Sequence, residues 1–175
     1  MAAGIRLYIE AGLAEGAPVA ANADQAHYLG RVMRLGAGDA VTLFNGQDGE
    51  WRAVIDHIDK RRAELLPETQ IRPQAEAPGP WLAFAPVKKT GTDFIVQKAT
   101  ELGASHLIPV ATANTQTGRT NIDRLTATAV EAAEQCERLS VPEVSEMRNL
   151  DALLDAWPDD RRLFVLDETG GGVPL

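Results

Sequence analysis

The stretch "WLAFAPVKKTGTDFIVQKATELGASHLIPVA", residues 81–111, decides the fold. It opens with an apolar run, "WLAFAPV" (81–87), too short to span a bilayer. It closes with a second, "HLIPVA" (106–111). Apolar runs of this length, with no polar alternation, are strands buried on both faces. Between them, residues 92–102 place Ile95, Val96, Ala99 and Leu102 on one arc at about 100° per residue, as in a helix that Gly103 ends. Strand, helix, strand is the unit of a parallel sheet covered by helices.

The same rhythm continues downstream. Residues 121–139 read as a long helix with an apolar stripe of Ile122, Leu125, Ala129, Ala132, Ala133, Cys136 and Leu139. "LDALLDAW" (150–157) is a shorter helix, and "RLFVLDE" (162–168) reads as another buried strand.

Upstream the pattern changes. "PETQIRPQAEAPGP" (67–80) holds four prolines and almost no large apolar residue, and reads as a linker. Before it, "IRLYI" (5–9) is a strand. "ADQAHYLGRVMRLG" (23–36) is a short helix capped by Asp24 and stopped by Gly36. "DAVTLFNGQDGEWRAVIDHI" (39–58) alternates about a Gly-rich turn, as a hairpin does, and "AELLP" (63–67) closes the set. A small β-barrel fits this size. The boundaries expected are 1–68 for the barrel, 69–80 for the linker and 81–175 for the α/β domain.

Composition bounds the function. The chain has 175 residues and a formal net charge of −8, with most of the negative excess after residue 75. The charge as a whole does not suit a nucleic-acid binder, but binding needs local charge. Arg31, Arg34, Lys60, Arg61, Arg62 and Arg72 make local basic groups in the first half. The single cysteine, Cys136, allows no internal disulfide and fits a cytoplasmic setting. Its place on the stripe reads as a small core residue. His27, His57 and His106 lie too far apart for a metal site. "GAGDA" (36–40) and "TGGG" (169–172) lack the strand–GxGxxG–helix context of a dinucleotide site and read as turns.

Two polar groups stand out. Gln97, Lys98 and Glu101 share a helix. On spacing alone, Lys98 borders the buried face and bridges to Glu101. Glu134 and Arg138 are four apart and read as a surface ion pair.

Three stretches together resemble the small-subunit ribosomal RNA uridine-N3 methyltransferases of the RsmE type. They are "HYLGRVMRLGAGDAVTLFNGQDGEW" (27–51), "KKTGTDFIVQKATELGASHLIPV" (88–110) and "RLTATAVEAAEQCERLSVPEV" (124–144). The resemblance covers about residues 5–168. It implies a PUA-like β-barrel followed by an α/β SPOUT methyltransferase domain of the trefoil-knot type. It also implies S-adenosylmethionine as cofactor, a homodimer, and methylation of a uridine N3 in 16S rRNA of the small ribosomal subunit. Gln97, Lys98 and Glu101 match that family's "QK.tELG", and Glu134, Gln135 and Arg138 its "AEQ..R". The family's main cofactor segments, a Gly-Pro-Glu-Gly-Gly loop and an "LG..ILR.ETA" run, are expected beyond Leu175. The loop 111–121 keeps only Arg119 of the basic residues that relatives carry there.

N3 methylation of uracil needs the imide proton removed and the resulting anion stabilised. Glu134 is the candidate proton acceptor and Arg138 the candidate stabiliser. Arg31, Arg34, Lys60, Arg61, Arg62 and Lys98 are the candidate RNA contacts. Two other classes fit the sequence: a non-catalytic RNA-binding and dimerisation protein, and an α/β enzyme acting on a small metabolite.

Overall fold

The computed structural model describes residues 4–75, 78–115 and 118–166. Two sheets organise the chain. The first holds five strands in the order β1-β3-β4-β5-β2: β1 (Arg6–Tyr8), β2 (Val19–Ala21), β3 (Ala40–Phe44), β4 (Glu50–Ile58) and β5 (Ala63–Arg72). β1 runs parallel to β3 and the remaining pairs are antiparallel. Alternation along "IRLYI" sends Leu7 and Ile9 inward, where they pack with Leu43, Ile55 and Leu65. The intervening Arg6 and Tyr8 point outward, toward the second domain.

The β3–β4 turn is fixed by its own polar side chains. Asn45 Oδ1 accepts from the N–H groups of Gln47 and Asp48, and Asp48 Oδ2 accepts from Leu13 N–H at 2.8 Å. The Leu13 bond, with a second to the same oxygen from Asn45 Nδ2 at 2.7 Å, holds the Asp48 carboxyl below its usual range. Gly49 has φ of +77°, and a Cβ there would lie 2.3 Å from the Arg72 carbonyl oxygen, so only glycine fits.

The first helix, α1 (Ala23–His27), is capped by Asn22 rather than Asp24. Asn22 and Gln25 form a reciprocal capping box, leaving Asp24 in the first turn. The helix then widens into a π-helical turn, Tyr28–Val32, and Arg34 follows with φ of +58°. β5 continues through Arg72, four residues into the segment read as linker. Its Pro67 is buried opposite Ala53, beside a register shift in β4, where an edge or bulge tolerates the missing N–H.

The second sheet is parallel. β6 (Trp81–Phe84), β7 (His106–Ala111) and β8 (Glu143–Val144) lie in that order, and β9 (Arg148–Asn149) pairs with the far end of β7. Pro109 falls where β8 has ended and β9 has not begun, so its missing N–H breaks no ladder bond on that side. α2 (Lys89–Glu101) and α3 (Ile122–Gln135) cover one face. Val96, Ala99, Leu107, Leu125 and Ala129 form the core beneath them. α4 (Leu150–Asp155) covers the other face through Leu153, Ile108 and Val110, with Trp81 and Trp157 edge to face.

Both long helices stop earlier than their apolar stripes suggest. α2 ends at Glu101, which leaves Leu102 84% exposed instead of on the buried arc. α3 ends at Gln135, and Glu137 takes a left-handed φ of +59°. Cys136 is therefore exposed rather than a core residue. The expected strand "RLFVLDE" is not formed over 162–166. These residues pair with no strand, and Phe164, Val165 and Leu166 are exposed. Residues 167–168, and the "TGGG" at 169–172, lie outside the described residues.

Candidate functional site

The C-terminal end of α3 is where the two domains meet. A helix end leaves its last carbonyls without intrahelical donors and carries partial negative charge. Here the barrel supplies the donors. Arg6 donates from Nη1 to Ala133 O at 2.8 Å and from Nη2 to Arg138 O at 2.5 Å. Its Nε pairs with Glu50 at 2.5 Å, and its guanidinium lies 3.6 Å from the centre of the Phe44 ring. Arg72 pairs with the other Glu50 oxygen at 3.2 Å and donates to Glu137 O at 2.9 Å. Glu50 and the Arg6 side chain are buried, while Arg72 closes the network at its solvent-exposed edge.

Glu134 and Arg138 do not form the ion pair their spacing suggests, because Arg138 lies beyond the helix. Arg138 Nη1 instead donates to Thr100 O at 2.5 Å and Ala104 O at 3.0 Å, and Nη2 to Ser140 Oγ. Its guanidinium thus caps the end of α2. Burial works against its charge and lowers its pKa. Glu134 Oε1 accepts from Tyr8 N–H of the barrel at 2.8 Å. Burial pushes the Glu134 carboxyl above its ordinary range, against the opposing pull of the Tyr8 bond and of Arg6.

Glu134 faces two clefts between barrel and α3. One, of about 330 Å³, runs from Tyr28, Met33 and Ile71 on the barrel to Glu134 and Gln135. The other, of about 780 Å³, is bordered by α1 and α3 and is acidic, with Glu10, Asp24, Asp123 and Glu131 around it.

The basic candidates divide into two places. Arg31 and Arg34 are exposed on the π-helical turn and just after it. Lys60, Arg61 and Arg62 are exposed in the β4–β5 turn, where Asp59 Oδ1 accepts from the N–H groups of Arg61 and Arg62. The two turns are neighbours: a Cβ on Gly30 would sit 3.4 Å from Ile58 Cδ1. The π-helical turn thus lies beside the end of β4 that leads into the cationic turn. Lys98 is elsewhere, on α2, and its polar set closes on itself. Lys98 Nζ reaches Glu101 at 2.6 Å and Gln97 Nε2 reaches the other Glu101 oxygen at 2.9 Å. That pairing holds the Glu101 carboxyl below its usual range.

Among the described residues no three His, Cys, Asp or Glu side chains converge as a metal site, and no helix is long and apolar enough to cross a membrane. Arg6, Glu50 and Arg72 escape a sequence reading, since they lie far apart in the chain. One signal was available: an arginine within "IRLYI" sits on the face that alternation turns away from the barrel core.

Two family matches fall on the two domains. The RNA methyltransferase PUA domain matches residues 21–68, and the RNA methyltransferase domain matches residues 76–173. The chain belongs to the RNA methyltransferase family. Its fold class is that of this family, an α/β SPOUT-type methyltransferase domain preceded by a PUA-like β-barrel. It is 36% identical over 138 residues to the ribosomal RNA small subunit methyltransferase E of Rickettsia conorii, covering 78% of this chain and 57% of that protein. It is 39% identical over 124 residues to the protein of the same name from Synechocystis, covering 69% of this chain and 40% of that one. The chain therefore spans roughly half the length of these relatives. A crystal structure of a ribosomal RNA small subunit methyltransferase E from Neisseria gonorrhoeae, bound to S-adenosylmethionine, superposes with a TM-score of 0.81 at 25% identity. That superposition covers 90% of this chain and 67% of that one.

Proposed function

We propose that the protein takes part in S-adenosylmethionine-dependent methylation of N3 of a uridine in 16S rRNA of the small ribosomal subunit. It would act in the cytoplasm as a homodimer. The observation that carries this reading is the placement of Glu134. A half-buried carboxylate with a raised pKa faces a cleft walled by Tyr28, Met33 and Ile71 of the barrel, within a chain that carries an RNA-methyltransferase PUA domain.

The chemistry assigns work to the residues. Arg31, Arg34, Lys60, Arg61 and Arg62 neutralise phosphates and set the register of the RNA. Uracil N3 carries an imide proton that must leave before the nitrogen can accept a methyl group. Glu134 takes that proton, and its raised pKa brings it nearer to neutrality, where a general base is effective. Arg138 spends its donors on carbonyls at the end of α2, so its role is to position the α3 terminus, and with it Glu134. Lys98, tied to Glu101, contributes charge near α2 rather than a free cation. S-adenosylmethionine supplies the methyl group when bound. The described residues form no Gly-rich cradle for it.

The test is transfer of label from S-adenosylmethionine to small subunits and to naked 16S rRNA, with nucleoside mass spectrometry to locate the product. N3-methyluridine in 16S rRNA, lost in Glu134→Gln at unchanged RNA affinity, is the expected result. Label on another base or atom would refute the substrate assignment, and full activity of Glu134→Gln would refute the proton acceptor.

A further inference from the structure

β1 lies at one edge of the first sheet, and Tyr8 turns both of its main-chain groups to the open side. Ile9 N–H donates to Phe44 O at 2.9 Å, and Thr42 N–H donates to Ile5 O at 2.8 Å. Alternation along the strand therefore points the Tyr8 N–H and C=O away from β3, where no strand pairs with β1. Partly buried main-chain groups of this kind need partners. Two side chains supply them. Glu134 of α3 accepts from Tyr8 N–H at 2.8 Å, and Gln25 of α1 donates from Nε2 to Tyr8 O at 2.7 Å. Tyr8 is thus held between α3 and α1.

Gln25 makes two bonds with one carboxamide. Its Oε1 accepts from Asn22 N–H at 3.0 Å, the return bond of the capping box. The partners fix which end is which, because a main-chain N–H only donates and a main-chain carbonyl only accepts. A capping box takes glutamate or glutamine at this position. Glutamate would close the box as well, but its carboxylate would meet the Tyr8 carbonyl with no hydrogen to offer. Glutamine is therefore the residue type that caps α1 and holds Tyr8 at once. The donor half of the side chain is not needed for the cap.

We infer that Gln25 is a positioning residue for Glu134. By holding the Tyr8 carbonyl it keeps the Tyr8 N–H aimed at Glu134 Oε1. One carboxylate oxygen is then pinned, and the other is left to receive a proton. The inference rests on Glu134 as the proton acceptor and deepens that reading by naming what holds the acceptor still.

Two substitutions isolate the bond to Tyr8. Gln25→Glu keeps the capping box and adds a charge, whereas Gln25→Met adds no charge and gives up the box. An effect common to both comes from the lost donor to Tyr8 O. The charged groups around Glu134 stay in place in both: Arg6 on β1, Glu10 just past it, Asp24 on α1, Glu50 on β4, and Asp123, Glu131 and Glu137 on α3 or beside its end. In isotope-labelled protein, the NMR shift of the Tyr8 amide, followed against pH, reads the titration of the carboxylate it donates to. The Tyr8 bond favours the charged form of Glu134, so loosening it should move the midpoint to higher pH in both variants. Tyr8 amide exchange should quicken roughly tenfold. In methylation of small subunits, kcat should fall on the order of tenfold to a hundredfold at unchanged KM for the RNA, the result of a misplaced reacting group. A midpoint that stays at the wild-type value in either variant, or a loss that falls on KM alone, would overturn the inference and leave Glu134 as acceptor. Full activity of Glu134→Gln would remove the acceptor and this inference with it.

Discussion

Replacing Glu50 should separate the two domains energetically. Glu50 is 6% exposed and serves two arginines from the barrel that both reach the end of α3. The two pairs are unequal. Arg72 is 42% exposed on its side chain, so its pair with Glu50 contributes at most about 1 kcal/mol. The Arg6 side chain is 8% exposed. In Glu50→Ala its guanidinium keeps two carbonyl partners and the Glu134 carboxylate nearby but loses its paired counter-charge, and leaving a buried charge without its partner costs at most about 3–5 kcal/mol. Glu50→Gln retains the shape and one acceptor, so its cost should be smaller, about 1.5–3 kcal/mol, the scale of a hydrogen bond to a charged group.

Urea denaturation gives the measurement. Trp51 reports on the barrel, and Trp81 and Trp157 on the α/β domain, so single-tryptophan variants follow the two halves separately. The wild-type transitions should coincide and those of Glu50→Ala should part, because the two arginines that join the barrel to α3 lose the carboxylate that holds them. A double-mutant cycle with Arg6→Met should give a coupling near the upper end of about 0.5–3 kcal/mol. A Glu50→Ala protein within about 0.5 kcal/mol of wild type, with coincident transitions, would show that the network is incidental.

Three further outcomes follow from the same geometry. Burial raises the Glu134 pKa above its ordinary value of 4.5, so the stability tied to its protonated form is complete below that value and is lost as pH rises through the folded pKa; Glu134→Gln should flatten this decline in a pH series of urea midpoints. Arg138→Met leaves the Ala104 carbonyl without this donor and the Thr100 carbonyl with Gly103 N–H alone, and should cost about 1–3 kcal/mol, with Arg138→Lys recovering little because one ammonium cannot span the three acceptors. Lys98→Ala should change stability by less than about 1 kcal/mol, since its pair with Glu101 is solvent-accessible; a larger loss in thermal denaturation would show that Lys98 has a further partner.

The fold was legible where burial writes itself into local sequence. β7 lies between strands and under helices on both faces, so "HLIPVA" has no polar position to blur it. The helix ends were less legible. Apolar periodicity runs on through Leu102, Cys136 and Leu139, but the backbone leaves the helix first, and Glu137 takes a left-handed turn that no local residue type announces. "RLFVLDE" has the composition of a central strand, yet a strand requires a neighbouring strand to pair with, and residues 162–166 have none. At the site, Glu134 was marked by resemblance and not by pattern. Its partner Tyr8 N–H belongs to a backbone group 126 residues away, which no side-chain pattern encodes.

The junction solves two problems with the same atoms. The end of α3 must find donors for the carbonyls of Ala133, Glu137 and Arg138, and the barrel must be held at one orientation to the sheet that α3 covers. Arg6 and Arg72 do both, and Arg138 carries the connection onward to the end of α2. Moving the barrel would therefore break three hydrogen bonds from charged donors at once, about 1.5–3 kcal/mol each. Summed, that loss reaches the lower part of the whole stability of a typical domain, about 5–15 kcal/mol. A hinge at this place would be ruled out energetically without any lid or latch. The distance from the basic turns to Glu134 is then set when the chain folds.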